Sequence, residues 1–491
     1  MMRSICIHRC FLLLFLTLSV HSCKKESTPG VHTEITSVEN GLLPAITVEG
    51  QPIIPYSLQG RMEHYNVPGV SIAVVKDGEL HWAKGYGLAN TETGQEVTTQ
   101  TLFQAGSISK PLAALAVLKL WEEGRVDLDE DVNSYLKDWK VPDTTYTLSE
   151  KVTLRRLLTH MAGMTVHGFP GYAADDGFPG ITQVLNGEGN TPRITVDTIP
   201  GSLWRYSGGG YTVMQKVVED VSGQSLEAYM RDHILMPMGL DKSTYQQPLG
   251  SKYALNASAA FNAAGKMVEG LWHNYPEQAA AGLWTTPSDL AAYCMQIQEI
   301  YGGNKNGILN PETIRAMLTK HKGDWGLGPA LRKQGDSLLF GHGGKNEGFS
   351  NNMLAFAGQG DAMVVMTNAD RGVALMGEIM RAISDTYGWR ISVPRKVTLV
   401  PQPADSLSRF TGRYQLDFQV PDIGDYIVEV TMGDGTLEVF DPNNGERNTL
   451  SPLGPKEFID LASGDEVQVS LQGDKPEILF NGRFRFVRLE D

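Results

Sequence analysis

The chain of 491 residues carries a formal net charge of −14 at pH 7, and 41% of its residues are hydrophobic. This length allows two or three domains with sizeable cores. The acidic balance argues against nucleic acid as a partner, because proteins that bind nucleic acid need a basic surface.

The N-terminal stretch has the pattern of a secretory signal with a lipoprotein cleavage site. Basic residues precede an apolar run over residues 11–20, and Cys23 follows shortly after it. The run has about half the length that a membrane-spanning helix needs. We therefore predict a signal peptide over residues 1–22, lipidation of Cys23 and export to the bacterial cell envelope, with the lipid as the only membrane attachment.

The next segments lead into the first domain. Residues 23–50 are rich in small and polar residues without a sustained period, which predicts a tether. A β-branched run over residues 70–75 is followed by Asp77-Gly78 and by a second run over residues 80–87. This arrangement predicts a β-hairpin near the start of a domain that spans residues 51–392.

The stretch Gly106-Ser107-Ile108-Ser109-Lys110-Pro111 offers a hydroxyl and an amine on one helix face, since residues three apart lie side by side. Strong helix formers over residues 112–121 predict a buried helix that begins near Pro111. A desolvated lysine with a lowered pKa can take the proton of a serine, so the pair suits acyl transfer. The same S-x-x-K spacing occurs twice elsewhere, and Ser107 could instead be only the N-cap of the helix.

Helical patterns follow, and strand patterns return only near the end of the domain. Helices are predicted over residues 154–161, 211–221, 286–294 and 373–387, and strands over residues 337–340, 352–356 and 362–367. Strands at both ends with helices between them predict an α+β fold, an α/β sandwich. Its antiparallel sheet is closed by distant segments, flanked by helices and interrupted by an inserted helical region.

The C-terminal part reads as a separate module. Residues 393–405 predict a linker, and alternating apolar and polar residues after it predict a small antiparallel, barrel-like β domain over residues 406–491. We find no repeat and no heptad pattern in the chain.

Four segments occur in a definite order along the chain. They are FQAGSISK at residues 103–110, LLTHMAG at residues 157–163, YSGGGY at residues 206–211 and GHGG at residues 341–344. Together they resemble the serine β-lactamase and penicillin-binding superfamily, on its class C β-lactamase and D-Ala-D-Ala carboxypeptidase side. The resemblance covers roughly residues 50–390 and implies a serine hydrolase that needs no cofactor.

The resemblance also implies catalytic roles. Ser107 matches the nucleophile, Lys110 the adjacent amine, and Tyr206 the tyrosine that shares acid and base duty through a pKa lowered by neighbouring cations. The backbone N–H groups of Ser107 and Lys345 match the oxyanion hole. Tyr206 alone would also be compatible with an ordinary core aromatic residue.

Two positions of the implied substrate pocket depart from the usual pattern. His342, Gly343 and Gly344 take the place of a Lys-Thr-Gly strand that binds substrate, and Gly208 stands where an asparagine usually holds the substrate amide. The histidine resembles carboxypeptidase and D-aminopeptidase branches, and the glycine also resembles the carboxylesterase branch. Both changes weaken the case for antibiotic hydrolysis. His342 could alternatively be a turn residue between glycines.

The other histidines and the cysteines give no further site. His160 is better explained as a structural, hydrogen-bonded residue, and no cluster has metal-ligand spacing, so we predict no metal. The residues 167–190 form a glycine-rich loop that would shape the substrate pocket.

We therefore predict a serine hydrolase that forms an acyl-enzyme on Ser107 and acts on D-amino-acid-containing peptides or related amides and esters. Its expected partner is a small-molecule or peptide substrate, with cell-wall-derived peptides among the candidates. The alternatives are β-lactamase or carboxylesterase activity at the same site, or a non-catalytic protein that binds cell-wall peptide or a partner protein.

Overall fold

The computed structural model describes residues 29–303, 307–418, 424–443, 445–472 and 475–489. The predicted signal peptide over residues 1–22 and the predicted lipidation site Cys23 lie outside these ranges. Within them, no helix combines the length and apolar character needed to cross a bilayer.

The helices and strands have the following bounds. The α-helices are α1 (Pro29–Asn40), α2 (Leu58–Tyr65), α3 (Ser109–Glu122), α4 (Leu154–Leu158), α5 (Ile181–Asn186), α6 (Gly208–Ser222), α7 (Leu226–Met230), α8 (Ser251–Ala254), α9 (Gln278–Ala281), α10 (Pro287–Tyr301), α11 (Pro311–Met317), α12 (Gly372–Thr386) and α13 (Ala404–Ser408). The strands of the first domain and its border are β1 (Ile46–Val48), β2 (Gly69–Lys76), β3 (Glu79–Asn90), β4 (Gln95–Glu96), β5 (Phe103–Gln104), β6 (Tyr172–Ala173), β7 (His273–Asn274), β8 (Trp284–Thr285), β9 (Ala330–Gln334), β10 (Ser337–Asn346), β11 (Phe349–Phe356), β12 (Ala362–Thr367) and β13 (Arg395–Val397). The C-terminal strands are β14 (Gly412–Leu416), β15 (Ile427–Met432), β16 (Leu437–Asp441), β17 (Glu446–Pro452), β18 (Glu457–Asp460), β19 (Glu466–Gln472), β20 (Lys475–Phe480) and β21 (Phe484–Arg488).

The central sheet joins the two ends of the first domain. Its strand order is β4-β3-β2-β12-β11-β10-β9, and the pairing of β2 with β12 is antiparallel. The helical region between β4 and β9 is inserted between these strands in sequence. This arrangement confirms the predicted α+β fold with an antiparallel sheet closed by distant segments.

Both faces of the sheet are covered, which explains why β2 reads as an unbroken apolar run. Val70, Ile72 and Val74 of β2 pack in a core with α1, α2 and α12. Ala73 and Val75, which point to the opposite face, pack in a larger core with α3 and the inserted helices. The sheet is therefore the middle layer of a sandwich, and α10 lies directly on its strands β2, β3 and β12.

Local signals in the sequence predicted several elements well. Asp77 and Gly78 both have positive φ, 54° and 83°, as a tight hairpin turn between β2 and β3 requires. Thr286 accepts a hydrogen bond from Asp289 N at the start of α10, which confirms the predicted helix start.

The prediction of a tether over residues 23–50 is wrong for the part that the structure describes. Residues 29–40 form α1, and its Val38 is fully buried in the core that Val70, Ile72 and Val74 of β2 share with α2 and α12. Strand β1 pairs in parallel with β13, so residues 395–397 of the predicted linker form part of a small sheet. Apolar contacts along one helix face outweigh the polar composition that suggested a tether.

The C-terminal module is a closed antiparallel barrel of β14 to β21. Its interior is filled by apolar side chains such as Tyr414, Leu450 and Phe458. The barrel meets the first domain where Ile459 packs against Ile46 of β1 and Val397 of β13. The predicted small all-β domain is therefore confirmed as a barrel.

Candidate active site

Ser107 lies in a tight turn that leads directly into α3. Residues 106–108 form a 3₁₀ turn, and Gly106 adopts a φ of 55° that favours glycine. From residue 101 to residue 118 every side chain is buried except that of Ser107, which is partly exposed. A hydroxyl that alone reaches the surface of an otherwise buried segment is placed to meet a substrate.

Lys110 lies one turn further along α3 and points at the serine. Its Nζ donates hydrogen bonds to Ser107 Oγ at 3.0 Å and to Ala280 O at 2.8 Å. The side chain is buried, and this burial lowers the pKa of Lys110 to about 7. A large fraction of the amine is therefore neutral near pH 7 and able to accept the serine proton.

Tyr206 joins this pair from the segment before α6. Its hydroxyl lies near Ser107, and Lys110 Nζ lies 5.0 Å from the centre of its ring. Burial raises the pKa of Tyr206 well above its ordinary value, so the predicted lowering by neighbouring cations is wrong. Desolvation is the dominant cause of this shift, and His342 supplies a neutral ring where the resemblance would place a second cation.

Aromatic rings surround Tyr206 on several sides. The ring of His160 lies 4.2 Å from it, that of His167 5.0 Å and that of Trp325 5.7 Å, measured between ring centres. His160 accepts a hydrogen bond from Ser207 N at its Nδ1, at 3.1 Å, which fixes the backbone beside Tyr206. This contact fits the structural role predicted for His160.

The backbone of β10 passes very close to the nucleophile turn. A Cβ atom placed on Gly106 would lie 2.5 Å from Lys345 N, and one on Gly344 would lie 1.9 Å from Ala105 O. The predicted oxyanion donors, the N–H groups of Ser107 and Lys345, therefore belong to two backbone segments in direct contact. Two convergent N–H groups can stabilise the negative oxygen of a tetrahedral intermediate.

His342 lies on β10 at the edge of this cluster. Its ring is 6.0 Å from that of Tyr206 and 5.4 Å from that of Trp325, between ring centres. Burial and the charge of Lys110 lower the pKa of His342 to about 3, so its ring is neutral across the physiological range. Gly343, next to it, is exposed and open to solvent.

Gly208 is the first residue of α6 and lies beneath the loop predicted to shape the pocket. Its N–H donates to His167 O at 3.0 Å, and a Cβ atom here would lie 2.8 Å from the ring of Phe169. The loop therefore fills the space that a side chain at position 208 would need. Gly208 offers neither a side chain nor a free N–H to a substrate.

The structure adds two contributors that the sequence did not reveal. The carbonyl of Ala280, in α9, anchors Lys110, and Trp325 packs against both Tyr206 and His342. A backbone carbonyl leaves no residue-type signal, and Trp325 lies in a loop without a recognisable motif. The described ranges contain no group of three or more His, Cys, Asp or Glu side chains arranged to hold a metal ion.

Comparison with known proteins gives consistent similarities. Residues 57–386 match the family described as Beta-lactamase. Penicillin-binding protein 4 of Amycolatopsis lactamdurans is 25% identical over 380 residues, which cover 74% of this chain and 96% of that protein.

Solved structures share the fold at lower identity. The octameric penicillin-binding protein homologue from Pyrococcus abyssi is 23% identical with a TM-score of 0.60, covering 88% of this chain and 98% of that one. The D-amino acid amidase from Ochrobactrum anthropi SV3 is 20% identical with a TM-score of 0.55, covering 67% and 97%. At these sequence identities, the similarity to the two structures supports the fold alone.

Proposed function

This chain belongs to the beta-lactamase family, whose members are serine hydrolases, and on that premise we propose that it forms an acyl-enzyme on Ser107 and hydrolyses amides or esters of D-amino-acid-containing substrates. The observation that carries the proposal is the contact of 3.0 Å between Lys110 Nζ and Ser107 Oγ, made by an amine whose pKa is lowered to about 7. This pairing activates the hydroxyl without a metal or cofactor.

In the proposed reaction, neutral Lys110 takes the proton of Ser107 while Oγ attacks the substrate carbonyl carbon. The N–H groups of Ser107 and Lys345 hold the resulting oxyanion. Tyr206 remains protonated and gives its proton to the leaving group, and the proton held by Lys110 then restores the phenol. Water repeats these steps in the opposite sense and releases the acid.

Three features support a substrate other than a β-lactam. Gly208 lacks a side chain to hold a substrate amide, His342 is neutral, and Phe169 occupies the space beside Gly208. The D-amino acid amidase with the same fold gives a precedent for amide chemistry on this scaffold.

The test is a panel of substrates offered to the wild type and to Ser107→Ala. It contains a D-Ala-D-Ala peptide, D-amino-acid amides, a short p-nitrophenyl ester and nitrocefin. We expect turnover of the D-amino-acid compounds that disappears in Ser107→Ala. Efficient nitrocefin hydrolysis would favour β-lactamase activity, turnover of the ester alone would favour a carboxylesterase, and binding without any turnover would favour a binding protein.

We also propose that the protein is exported and anchored by a lipid on Cys23, on the strength of the N-terminal pattern. Cells fed an alkyne-tagged palmitate should label the wild type and not Cys23→Ala. Equal labelling of the variant would contradict the anchor.

A further inference from the structure

The hydrogen bonds of His342 determine which ring nitrogen carries its proton. Nδ1 contacts the carbonyl oxygen of Gly343, which can only accept, so Nδ1 carries the hydrogen. A neutral ring with a protonated Nδ1 has an unprotonated Nε2 whose lone pair accepts hydrogen bonds. The tautomer therefore makes Nε2 an acceptor and not a donor.

This acceptor is buried at the site and has no partner within the described residues. The Nε2 atom makes no hydrogen bond, and His342 is only 7% exposed. Its ring lies beside the rings of Tyr206 and Trp325, on the strand whose Lys345 backbone meets the nucleophile turn. Buried polar atoms usually have partners, so an unpartnered acceptor in a catalytic site points to a donor on the substrate.

The cations near the site are already engaged or point outward. Lys110 is held by Ser107 and Ala280, and Lys345 has a side chain that is 60% exposed with its Nζ 3.6 Å from a carboxylate oxygen of Asp370. The guanidinium of Arg205 contacts Asp197 and two backbone carbonyls.

The two positions that follow His342 on the strand offer no hydroxyl, because they are Gly343 and Gly344. A carboxylate placed against His342 would meet a lone pair and, among the residues that the structure describes, no free cation. Burying such a charge without a partner is costly.

We propose that the part of the substrate lying against His342 is an uncharged hydrogen-bond donor, such as the N–H of a terminal amide, and not a free carboxylate. This inference rests on the proposed function and narrows the proposed substrates to those whose terminal group is an amide or another uncharged group. The preference comes from the acceptor at Nε2 together with the missing carboxylate anchor.

A matched pair of ligands tests the inference by binding alone. N-acetyl-D-Ala-D-Ala and N-acetyl-D-Ala-D-Ala amide differ only in the terminal group, and the Ser107→Ala variant binds them without chemistry. By calorimetry, the amide should bind at least about tenfold more tightly than the carboxylate. Equal affinity, tighter binding of the carboxylate, or no binding of either peptide would overturn the inference.

Adding His342→Lys to Ser107→Ala should replace the acceptor by a cation and reverse or abolish the preference for the amide. His64→Lys in the same background, at an exposed position on α2, should leave it unchanged. An unchanged preference in the His342→Lys variant would also overturn the inference. Turnover of the amide by the wild type is measured separately, so failure of the hydrolase proposal would be seen as binding without hydrolysis.

Discussion

The ionisation of Lys110 should govern how activity depends on pH. Its pKa is lowered from 10.5 to about 7 by burial, so the base is protonated and inactive below this pH and neutral above it. We expect kcat/KM for an activated ester to rise with pH through about 7 and then level off. His342, with a pKa of about 3, should add no step in this range.

Lys110→Ala should lower kcat/KM by about 10² to 10⁴ and remove the rise near pH 7. Lys119→Ala, on the same helix and partly exposed, provides the control and should behave like the wild type. A flat profile across pH 7 in the wild type would contradict the assignment of Lys110 as the base.

The buried carboxyl group of Glu277 should make the stability of the protein depend on pH. Both of its carboxylate oxygens are buried without hydrogen bonds, and burial raises its pKa from 4.5 to about 7. A raised carboxyl pKa means that stability falls as pH increases from about 4.5 to 7, by about 3 kcal/mol in total. Glu277→Gln should therefore stabilise the protein at pH 8 relative to its effect at pH 4.

Urea unfolding at the two pH values measures this difference. Glu312→Gln, at an exposed position in α11, should show no such dependence on pH. A stabilisation by Glu277→Gln that is equal at both pH values would contradict the buried ionised carboxylate.

At the scale of single residues, the sequence predicted which residues react, but it did not predict all of their pKa shifts. Ser107 and Lys110 carry a local signal, namely a fixed spacing before a buried helix. The predicted direction of the pKa shift of Tyr206 was wrong, because the shift depends on burial by distant segments, including the loop that holds Trp325. No local pattern reports how much solvent a phenol loses on folding.

Among the elements, β10 is the one whose position the chemistry needs most. Gly344 meets Ala105 O so closely that a Cβ atom would lie 1.9 Å away, whereas a Cβ atom on Gly343 would come no nearer than 3.7 Å to its neighbours. Gly344→Ala should push the strand from the nucleophile turn and lower kcat/KM by about 10² or more, as the loss of an oxyanion donor does.

Gly343→Ala is the matched control and should retain most activity. The circular dichroism spectra of both variants should resemble that of the wild type. If Gly344→Ala is as active as Gly343→Ala, the oxyanion hole is not formed by this strand.

Helix α1 was missed because its apolar pattern in the sequence is weak. Val31, Ile35 and Val38 are spaced by four and three residues, and as one helix face they pack in the core that lies between the sheet and α1, α2 and α12. Three apolar residues in a polar segment are too few to give a clear period. Their partners in α12 lie more than 300 residues away in sequence, so only the fold reveals the contact.

At the scale of the whole molecule, the barrel and the first domain share a small apolar contact. Ile459 of β18 is fully buried against Ile46 and Val397. Ile459→Ala should lower the free energy of unfolding by about 2 to 5 kcal/mol, because it opens a cavity at this contact. The site lies elsewhere, so kcat/KM should be unchanged.

Ile54→Ala is the control, since Ile54 is 71% exposed and its truncation removes little buried surface. Chemical denaturation of both variants makes the comparison. Equal stability of the two would contradict the role of Ile459 in holding the domains together.

The architecture itself was predictable because its signals are strong and repeated. Strand patterns at both ends of the first domain required a sheet closed by distant segments, and β2 indeed pairs with β12. The alternating pattern of the C-terminal region predicted an antiparallel barrel. Besides α1, the sequence did not predict the pairing of β1 with β13, which involves three residues on each strand.

The central claim is that Ser107 is the nucleophile of an acyl-enzyme. Its most direct test is mass spectrometry of the protein after reaction with a fluorophosphonate probe, followed by mapping of the modified peptide. We expect one adduct on the peptide that contains Ser107, and no adduct in a folded Ser107→Ala variant. An adduct that persists in Ser107→Ala, or that maps to another residue of the wild type, would contradict the account.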